Sequence, residues 1–173
     1  MKILAIPGKM PITESWLLKI ISATRWRQEK IDMHRFVAWD HEQAFSVENE
    51  ISHLPSGHFD VVITKSIGCL ITLKAQSTIT WDRLVLIGVA WSLFSESDRE
   101  LLSALEEKEQ PVLIIQEKHD PFGSYAEIAA EVAGKDNICC IEVEGDRHQY
   151  TDTEAIGERI NQWVKETRNM AAV

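Results

Sequence analysis

The sequence of 173 residues predicts a doubly wound, three-layer α/β fold, in which helices cover both faces of a sheet of about six parallel strands. Short runs of apolar and β-branched residues alternate with segments of helical periodicity along the whole chain. The runs are apolar nearly throughout, and strands that are buried on both faces have this pattern.

Three strands, each followed by a helical segment, are predicted in the first half of the chain. Pro7 and Gly8 end the first strand, and a Pro-Ser-Gly turn at 55–57 precedes the third strand. The third strand continues into a helix at Ser66 without a spacer. The predicted elements are strand 3–6, helix 13–23, strand 31–39, helix 41–54, strand 59–64 and helix 67–75.

The second half repeats this alternation three times. Pro111 begins one strand, and the sequence Asp120-Pro121 begins the loop that follows it. The predicted elements are strand 83–89, helix 96–109, strand 112–116, helix 124–133, strand 137–143 and helix 153–167. No linker or repeat interrupts the chain, so residues 1–168 are interpreted as one domain and 169–173 as a frayed tail.

The composition excludes several classes of partner. Eighteen Lys and Arg against 27 Asp and Glu give a net charge of −9, which repels nucleic acids and anionic membranes. No apolar run approaches the roughly 20 residues of a membrane span, and the apolar N-terminus is too short for a signal peptide. Cys69 stands alone and Cys139 and Cys140 are adjacent, which indicates free thiols and a cytoplasmic protein.

Three loops that follow strands contain a serine, an aspartate and a histidine: Ser66, Asp120 and His148. In a parallel sheet such loops meet at one edge, where ligands bind. A serine hydroxyl attacks acyl groups when a neutral imidazole removes its proton and a carboxylate orients that imidazole. These residues are therefore the predicted nucleophile, acid and base, and the N–H of Ile67 at the following helix N-terminus would face the developing oxyanion.

With this arrangement the sequence resembles the α/β-hydrolase family, and Thr-Lys-Ser-Ile-Gly at 64–68 matches its nucleophile elbow. The resemblance covers nearly the whole chain. It implies that Asp120 is the acid and His148 the base of a catalytic triad. It also implies a minimal form of the fold with strand order 2-1-3-4-5-6, in which two strands that usually begin the family's sheet are missing.

The same resemblance implies a role for the loop that follows the first strand. There Lys9 or Met10 would donate the second N–H to the oxyanion. The sequence departs from the family pattern at Thr64, where a glycine usually lets the strand and the helix approach closely.

Each of the three candidate residues also has an ordinary structural explanation. Ser66 could cap the helix, Asp120 could initiate a turn, and His148 could be a surface histidine. Nearby residues could replace them: Glu117 or Asp146 as the acid and His119 as the base.

Four residues are candidates for a substrate pocket: Gly8, Lys65, Trp91 and Phe94. Lys65 could favour negative charge in the site or form a surface salt bridge. Together with Leu93, the two aromatic residues could line an apolar acyl-binding surface or pack beneath the next helix.

No metal or cofactor is predicted. The histidines outside the candidate site lack the paired spacing of metal ligands; they are His34, His41, His53 and His58. Neither a dinucleotide-binding nor a P-loop glycine motif is present in the sequence.

The sequence therefore predicts a serine hydrolase that acts on carboxylic esters or related small acyl substrates through an acyl-enzyme. The alternatives are a catalytically silent binding protein and an acyltransferase, and the oligomeric state is left open.

Only residues 91–100 separate the fourth strand from its helix. Because this connection has no room for a lid domain, we expect an open site that favours short acyl groups or a group displayed on a larger molecule.

Overall fold

The computed structural model describes residues 1–27, 30–40 and 43–170. The described residues contain a single six-stranded sheet in which every neighbouring pair is parallel. Its order, β2-β1-β3-β4-β5-β6, confirms the predicted strand order. The strands are β1 (Lys2–Ile6), β2 (Lys30–Met33), β3 (Gly57–Lys65), β4 (Ile79–Ile87), β5 (Val112–Glu117) and β6 (Ile138–Val143).

Helices cover both faces of the sheet and produce two separate cores. Against one face, Leu17 and Ile20 of the first helix pack with Ile160 and Trp163 of the last. The second core lies under the helices of the other face. The helices are α1 (Ile12–Ala23), α2 (Val37–Asp40), α3 (Val47–Ser52), α4 (Ile67–Lys74), α5 (Glu96–Ser103), α6 (Tyr125–Glu131) and α7 (Thr153–Met170), with 3-10 turns at Trp91–Leu93 and Ala104–Lys108.

The strand order reverses direction at β1, because β2 lies on one side of it and β3 on the other. At such a point the loops that follow the two central strands diverge and leave a crevice at the carboxyl edge. The loop after β1 begins at Pro7, and Ser66 follows β3. The topology therefore opens a crevice beside the candidate nucleophile.

The second strand and its helix differ from the prediction. Strand β2 ends at Met33 instead of Trp39, and α2 begins at Val37. The carboxylate of Glu50, a buried residue of α3, accepts the N–H groups of Val37 and Ala38 and lies 2.8 Å from His34 Nε2. These bonds favour a helical turn where the sequence suggested a strand. The helix predicted at 41–54 is shortened to α3, and His41 lies outside the described residues.

Strand β4 begins at Ile79, four residues before its predicted start at Arg83. In this first part buried Ile79 and Trp81 alternate with exposed Thr80 and Asp82, so it lacks a continuous apolar run.

The predicted helix 96–109 ends at Ser103 and continues as a 3-10 turn. Helix α7 continues to Met170, three residues beyond its predicted end. In the described part of the chain, no helix has the length and apolarity to cross a membrane.

Candidate active site

Ser66 forms a one-residue turn between β3 and α4 and has a backbone that is rare for a residue with a side chain. Its φ is 57° and its ψ is −120°. Although Ser66 precedes the first helical residue, its side chain makes no capping hydrogen bond to α4. The backbone is held instead by a bond from Ser66 N–H to the carbonyl of Ile87 on β4. The helix-capping explanation of this serine therefore does not describe its side chain.

Gly68 and Thr64 determine how tightly this turn closes. A Cβ atom at Gly68 would lie 2.6 Å from the carbonyl oxygens of both Ile6 and Pro7, so a larger residue would push α4 away from β1. Thr64 is fully buried, and its hydroxyl lies 3.1 Å from the carbonyl oxygen of Val85. The space beside β4 therefore accommodates the threonine at the position where the family usually has glycine.

The side chains of Ser66, His148 and Asp120 form a continuous hydrogen-bonded chain. Ser66 Oγ lies 2.7 Å from His148 Nε2, and His148 Nδ1 lies 2.7 Å from Asp120 Oδ2. An ionised carboxylate only accepts hydrogen bonds, so the imidazole proton belongs on Nδ1. Nε2 is then free to accept the serine proton.

Asp120 is surrounded by donors that hold it as an anion. Its side chain is fully buried and also accepts the hydroxyl of Tyr150 at 2.7 Å and the N–H of Phe122 at 2.8 Å. Burial alone would raise the pKa of this carboxyl, but the bonds from His148, Tyr150 and Phe122 outweigh it and hold the pKa below its usual value. Asp120 therefore carries a negative charge at neutral pH.

The alternative acids and base lie elsewhere. Asp146 is exposed and is 3.8 Å from the guanidinium of Arg147. His119 is exposed on the loop that precedes Asp120. Glu117 is buried, but its carboxylate accepts backbone N–H groups and does not contact the imidazole.

The loop that carries His148 has a left-handed backbone at two residues, with φ of 62° at His148 and 51° at Tyr150. The Glu117 carboxylate accepts three of its N–H groups, from Arg147 at 3.2 Å, His148 at 2.7 Å and Tyr150 at 2.9 Å. The Tyr150 hydroxyl in turn accepts the N–H of Glu117 at 2.8 Å. Sequence reasoning missed this role for Glu117, although a carboxylate at the end of a continuous apolar run was a signal.

Lys65 does not form the surface salt bridge that was one of its two predicted roles. It lies on the cavity wall beside Ser66 but is only 3% exposed, and its ammonium group donates to the carbonyl of His148 at 3.1 Å. The rings of Tyr150 and Trp16 lie 4.7 and 5.7 Å from its Nζ. Burial lowers the pKa of this lysine to about 8. It makes no ion pair with a carboxylate of the described chain.

Three backbone N–H groups belong to residues that line the same cavity as Ser66. Ile67 is the first residue of α4, and Lys9 and Met10 belong to the loop after β1. Within residues 1–27, 30–40 and 43–170, none of these three N–H groups has an acceptor. The indole of Trp39 donates to the carbonyl of Lys9 at 2.7 Å and so holds this loop.

A cavity of about 770 Å³ opens above Ser66 and His148. Gly8 and Lys65 lie on its wall, whereas Trp91 and Phe94, predicted as pocket residues, are absent from it. Trp91 begins the 3-10 turn and Phe94 directly follows it, and the two rings pack in the core with centroids 5.4 Å apart. The apolar side chains of the wall are those of Met10, Ile12, Trp16, Phe45, Ile67, Leu93 and Phe122.

No three His, Cys, Asp or Glu side chains of the described residues come together as ligands for a metal ion. The thiol of Cys69 is fully buried against Thr64, and burial raises its pKa to about 11.

Neither a protein-family model nor a curated protein matches the sequence. Two solved structures are similar over most of the chain. ClbQ from the colibactin NRPS/PKS pathway has 10% identity and a TM-score of 0.60 over 98% of each chain. The RedJ thioesterase of the prodiginine biosynthetic pathway in Streptomyces coelicolor has 9% identity and a TM-score of 0.54 over 93% of this chain and 84% of its own. The likeness shows that this chain has the α/β-hydrolase fold.

Proposed function

We propose that the chain is a serine hydrolase that cleaves acyl thioesters and esters through an acyl-enzyme on Ser66. The observation that carries this proposal is the continuous chain from Ser66 Oγ through His148 to Asp120, with both hydrogen bonds at 2.7 Å. The positive φ of Ser66 also supports the proposal, because strained backbone conformations cluster at active sites, whereas a residue that only caps a helix does not need one.

In the first half of the reaction, Ser66 Oγ attacks the carbonyl carbon of the substrate while His148 Nε2 takes the hydroxyl proton. Asp120 stabilises the resulting imidazolium through Nδ1–H. The N–H of Ile67 and one N–H of the Lys9–Met10 loop would bind the oxyanion of the tetrahedral intermediate. His148 then returns the proton to the departing sulfur or oxygen, and the acyl group remains on Ser66.

In the second half, a water molecule gives its proton to His148 and attacks the acyl-enzyme carbonyl. When the second tetrahedral intermediate collapses, His148 returns that proton to Ser66 Oγ and the carboxylic acid leaves. No step requires a metal or a redox cofactor.

The walls of the cavity favour an apolar acyl group. Seven apolar side chains line the cavity that contains Ser66, and no Asp or Glu of the described chain lies on its wall. Its volume of about 770 Å³ falls within the range of about 300–1,000 Å³ found for small-molecule sites. We therefore propose longer acyl groups than the short ones suggested by the missing lid. The proposal includes thioesters among the substrates because the fold is similar to that of the RedJ thioesterase.

Hydrolysis of acyl N-acetylcysteamine thioesters and p-nitrophenyl esters by the parent and by Ser66→Ala tests the proposal. The substitution removes the attacking oxygen, so turnover is expected to fall to the level of the buffer. Ser77→Ala is the matched control, because Ser77 is exposed in the turn before β4. Ester and thioester turnover that survives in Ser66→Ala would contradict the mechanism, and a parent without any turnover would favour the silent binding protein.

A further inference from the structure

We infer that Lys65 and Glu117 are positioning residues that clamp the backbone of His148 between two buried charges and so align its imidazole with Ser66 and Asp120. This inference rests on the proposed function. Neither side chain touches the imidazole, and both act through the peptide groups of the loop that follows β6.

Glu117 provides the negative side of the clamp. Oε1 accepts the N–H groups of Arg147 and His148, and Oε2 accepts that of Tyr150. A Cβ atom at Gly145 would lie 2.4 Å from the Glu117 carboxyl carbon, so the loop closes tightly around the carboxylate. This one side chain therefore determines the path of the backbone on both sides of the imidazole.

Lys65 provides the positive side. Its ammonium group donates to the carbonyl of His148, whose N–H is bound by Glu117. Both backbone groups of the candidate base are thus held by buried charges of opposite sign. The ammonium has no carboxylate partner in the described chain and rests on the faces of Tyr150 and Trp16.

The clamp is needed because the loop is strained. A non-glycine residue in the left-handed region persists only when its surroundings fix it, and this loop has two, at His148 and Tyr150. If φ at His148 relaxed, the direction of its Cβ would change and Nε2 would leave Ser66 Oγ.

The clamp also joins the three strands whose ends form the site. Lys65 directly precedes Ser66 at the end of β3, and Glu117 is the last residue of β5, three before Asp120. Each buried charge therefore ties the histidine loop to the strand that carries another member of the hydrogen-bonded chain. An uncharged side chain could hold the same backbone groups without the free-energy cost of removing two charged groups from water.

Two substitutions test the clamp. Lys65→Met keeps the length and apolar stem of the side chain and removes the donor, and Glu117→Gln keeps the shape but places an NH2 group against a backbone N–H. Misplacement of a catalytic group by about 1 Å costs up to about 100-fold in rate. We expect each variant to lower kcat by at least about tenfold and to change KM by less than about twofold.

Matched controls remove the same charges outside the clamp. Lys118→Met alters the exposed residue that follows β5, and Glu142→Gln alters an exposed residue near the end of β6. We expect kcat of both controls to stay within about twofold of the parent. Because Glu117→Gln also leaves a buried group unpaired and could unfold the loop, Lys65→Met decides between the roles. If Lys65 is a positioning residue, Lys65→Met should lose kcat while its urea midpoint at pH 7 equals or exceeds that of the parent. If Lys65 has only a structural role, a loss of kcat should be accompanied by a lower urea midpoint.

A readout without turnover separates this inference from the proposed function. The Nδ1 proton of His148, observed by NMR on protein labelled with ¹⁵N-histidine, should exchange with solvent at least about tenfold faster in Lys65→Met than in the parent. Exchange and kcat that match those of Lys118→Met would overturn the clamp. A parent that hydrolyses no ester or thioester would instead overturn the proposed function, with the exchange measurement still deciding the clamp.

Discussion

At the scale of single residues, the site depends on backbone conformations that side chains disfavour. Five non-glycine residues in the described chain have positive φ, and three of them, Ser66, His148 and Tyr150, belong to the site. Such residues cost about 1–3 kcal/mol each and persist where neighbours hold them. The strain is therefore concentrated where the proposed chemistry takes place.

Thr64→Gly tests whether the threonine limits the closure of the turn. The substitution removes a hydroxyl 3.1 Å from the carbonyl of Val85 and empties a fully buried site on a strand. We expect a loss of about 2 kcal/mol in the free energy of unfolding. Fluorophosphonate labelling should stay within about twofold of the parent, because the turn already closes around Thr64.

Urea unfolding and the labelling rate, measured on the same samples, check this expectation. Thr64→Ser keeps the hydroxyl and should lose less stability. A labelling rate that rises tenfold in Thr64→Gly would show instead that Thr64 holds the turn away from its best geometry.

The buried ammonium of Lys65 predicts a pH dependence of stability. Its pKa is about 8 in the folded protein and higher in the unfolded chain, where a lysine has its ordinary pKa of 10.5. Below pH 8 both states carry the charge, so folding must bury it, at a net cost of about 3 kcal/mol that already includes the nearby negative charges. Above pH 8 the folded state releases the proton first, and the cost shrinks as the pH approaches 10.5.

Lys65→Met lacks this cost at every pH. Its stability relative to the parent should therefore be most favourable at pH 7 and should fall by about 2–3 kcal/mol between pH 8 and pH 10. Urea unfolding of both proteins at pH 7, 8, 9 and 10 measures the difference. A difference that does not change with pH would mean that Lys65 keeps its ordinary pKa.

At the scale of elements, the loop after β1 depends on a helix that the sequence did not predict. The N–H groups at the start of α2 are bound by Glu50, and Trp39 of α2 donates to the Lys9 carbonyl. The carbonyl of Lys9 and the N–H of Met10 belong to one planar trans peptide, so they point in opposite directions. A bond that fixes the carbonyl therefore aims the N–H of Met10.

Trp39→Phe removes this indole donor and keeps an aromatic ring against Phe36. Loss of a complete oxyanion donor costs about 10²–10³ in kcat, and loss of its orientation should cost less, about tenfold, with little change in KM. Trp26→Phe is the control, because its indole donates to Asn161 on α7 instead of to the loop after β1. Equal kcat values for the two variants would contradict a role for Trp39 in the oxyanion site.

The elements show which parts of the site the sequence can predict. The sequence can predict that Ser66, Asp120 and His148 lie together, because parallel strands bring their carboxyl ends to one edge, whatever the details of the loops. The roles of Glu117 and Lys65 depend on a left-handed loop that no periodicity reveals. The error at α2 has a similar origin, because its first N–H groups are bound by the side chain of Glu50 on the next helix, a contact that periodicity does not reveal.

At the scale of the whole molecule, the exposed apolar side chains gather around one opening. Five large apolar residues of the described chain are exposed, and four of them, Met10, Ile12, Leu93 and Phe122, line the cavity. The fifth, Leu18, lies outside it on α1. This distribution indicates that the cavity continues to the surface as an apolar rim.

The rim predicts how the rate depends on acyl length. Each methylene that leaves water contributes about 0.8 kcal/mol, so kcat/KM should rise by up to about fourfold per methylene from acetyl toward octanoyl esters. Ile12→Ser should flatten this dependence, because Ile12 is 72% exposed on the rim. Leu18→Ser, at the 39% exposed position on the same helix, should leave it unchanged. A parent that prefers acetyl esters would favour the short acyl groups suggested by the missing lid.

The central claim is that Ser66 becomes the acylated nucleophile. Brief incubation with a fluorophosphonate, followed by peptide mass spectrometry, locates the modified atom directly. We expect one adduct, on the peptide that contains Ser66, with a labelling rate that falls by at least about 100-fold in His148→Ala because the base is lost. An unlabelled parent, or an adduct on another residue that persists in Ser66→Ala, would contradict the account.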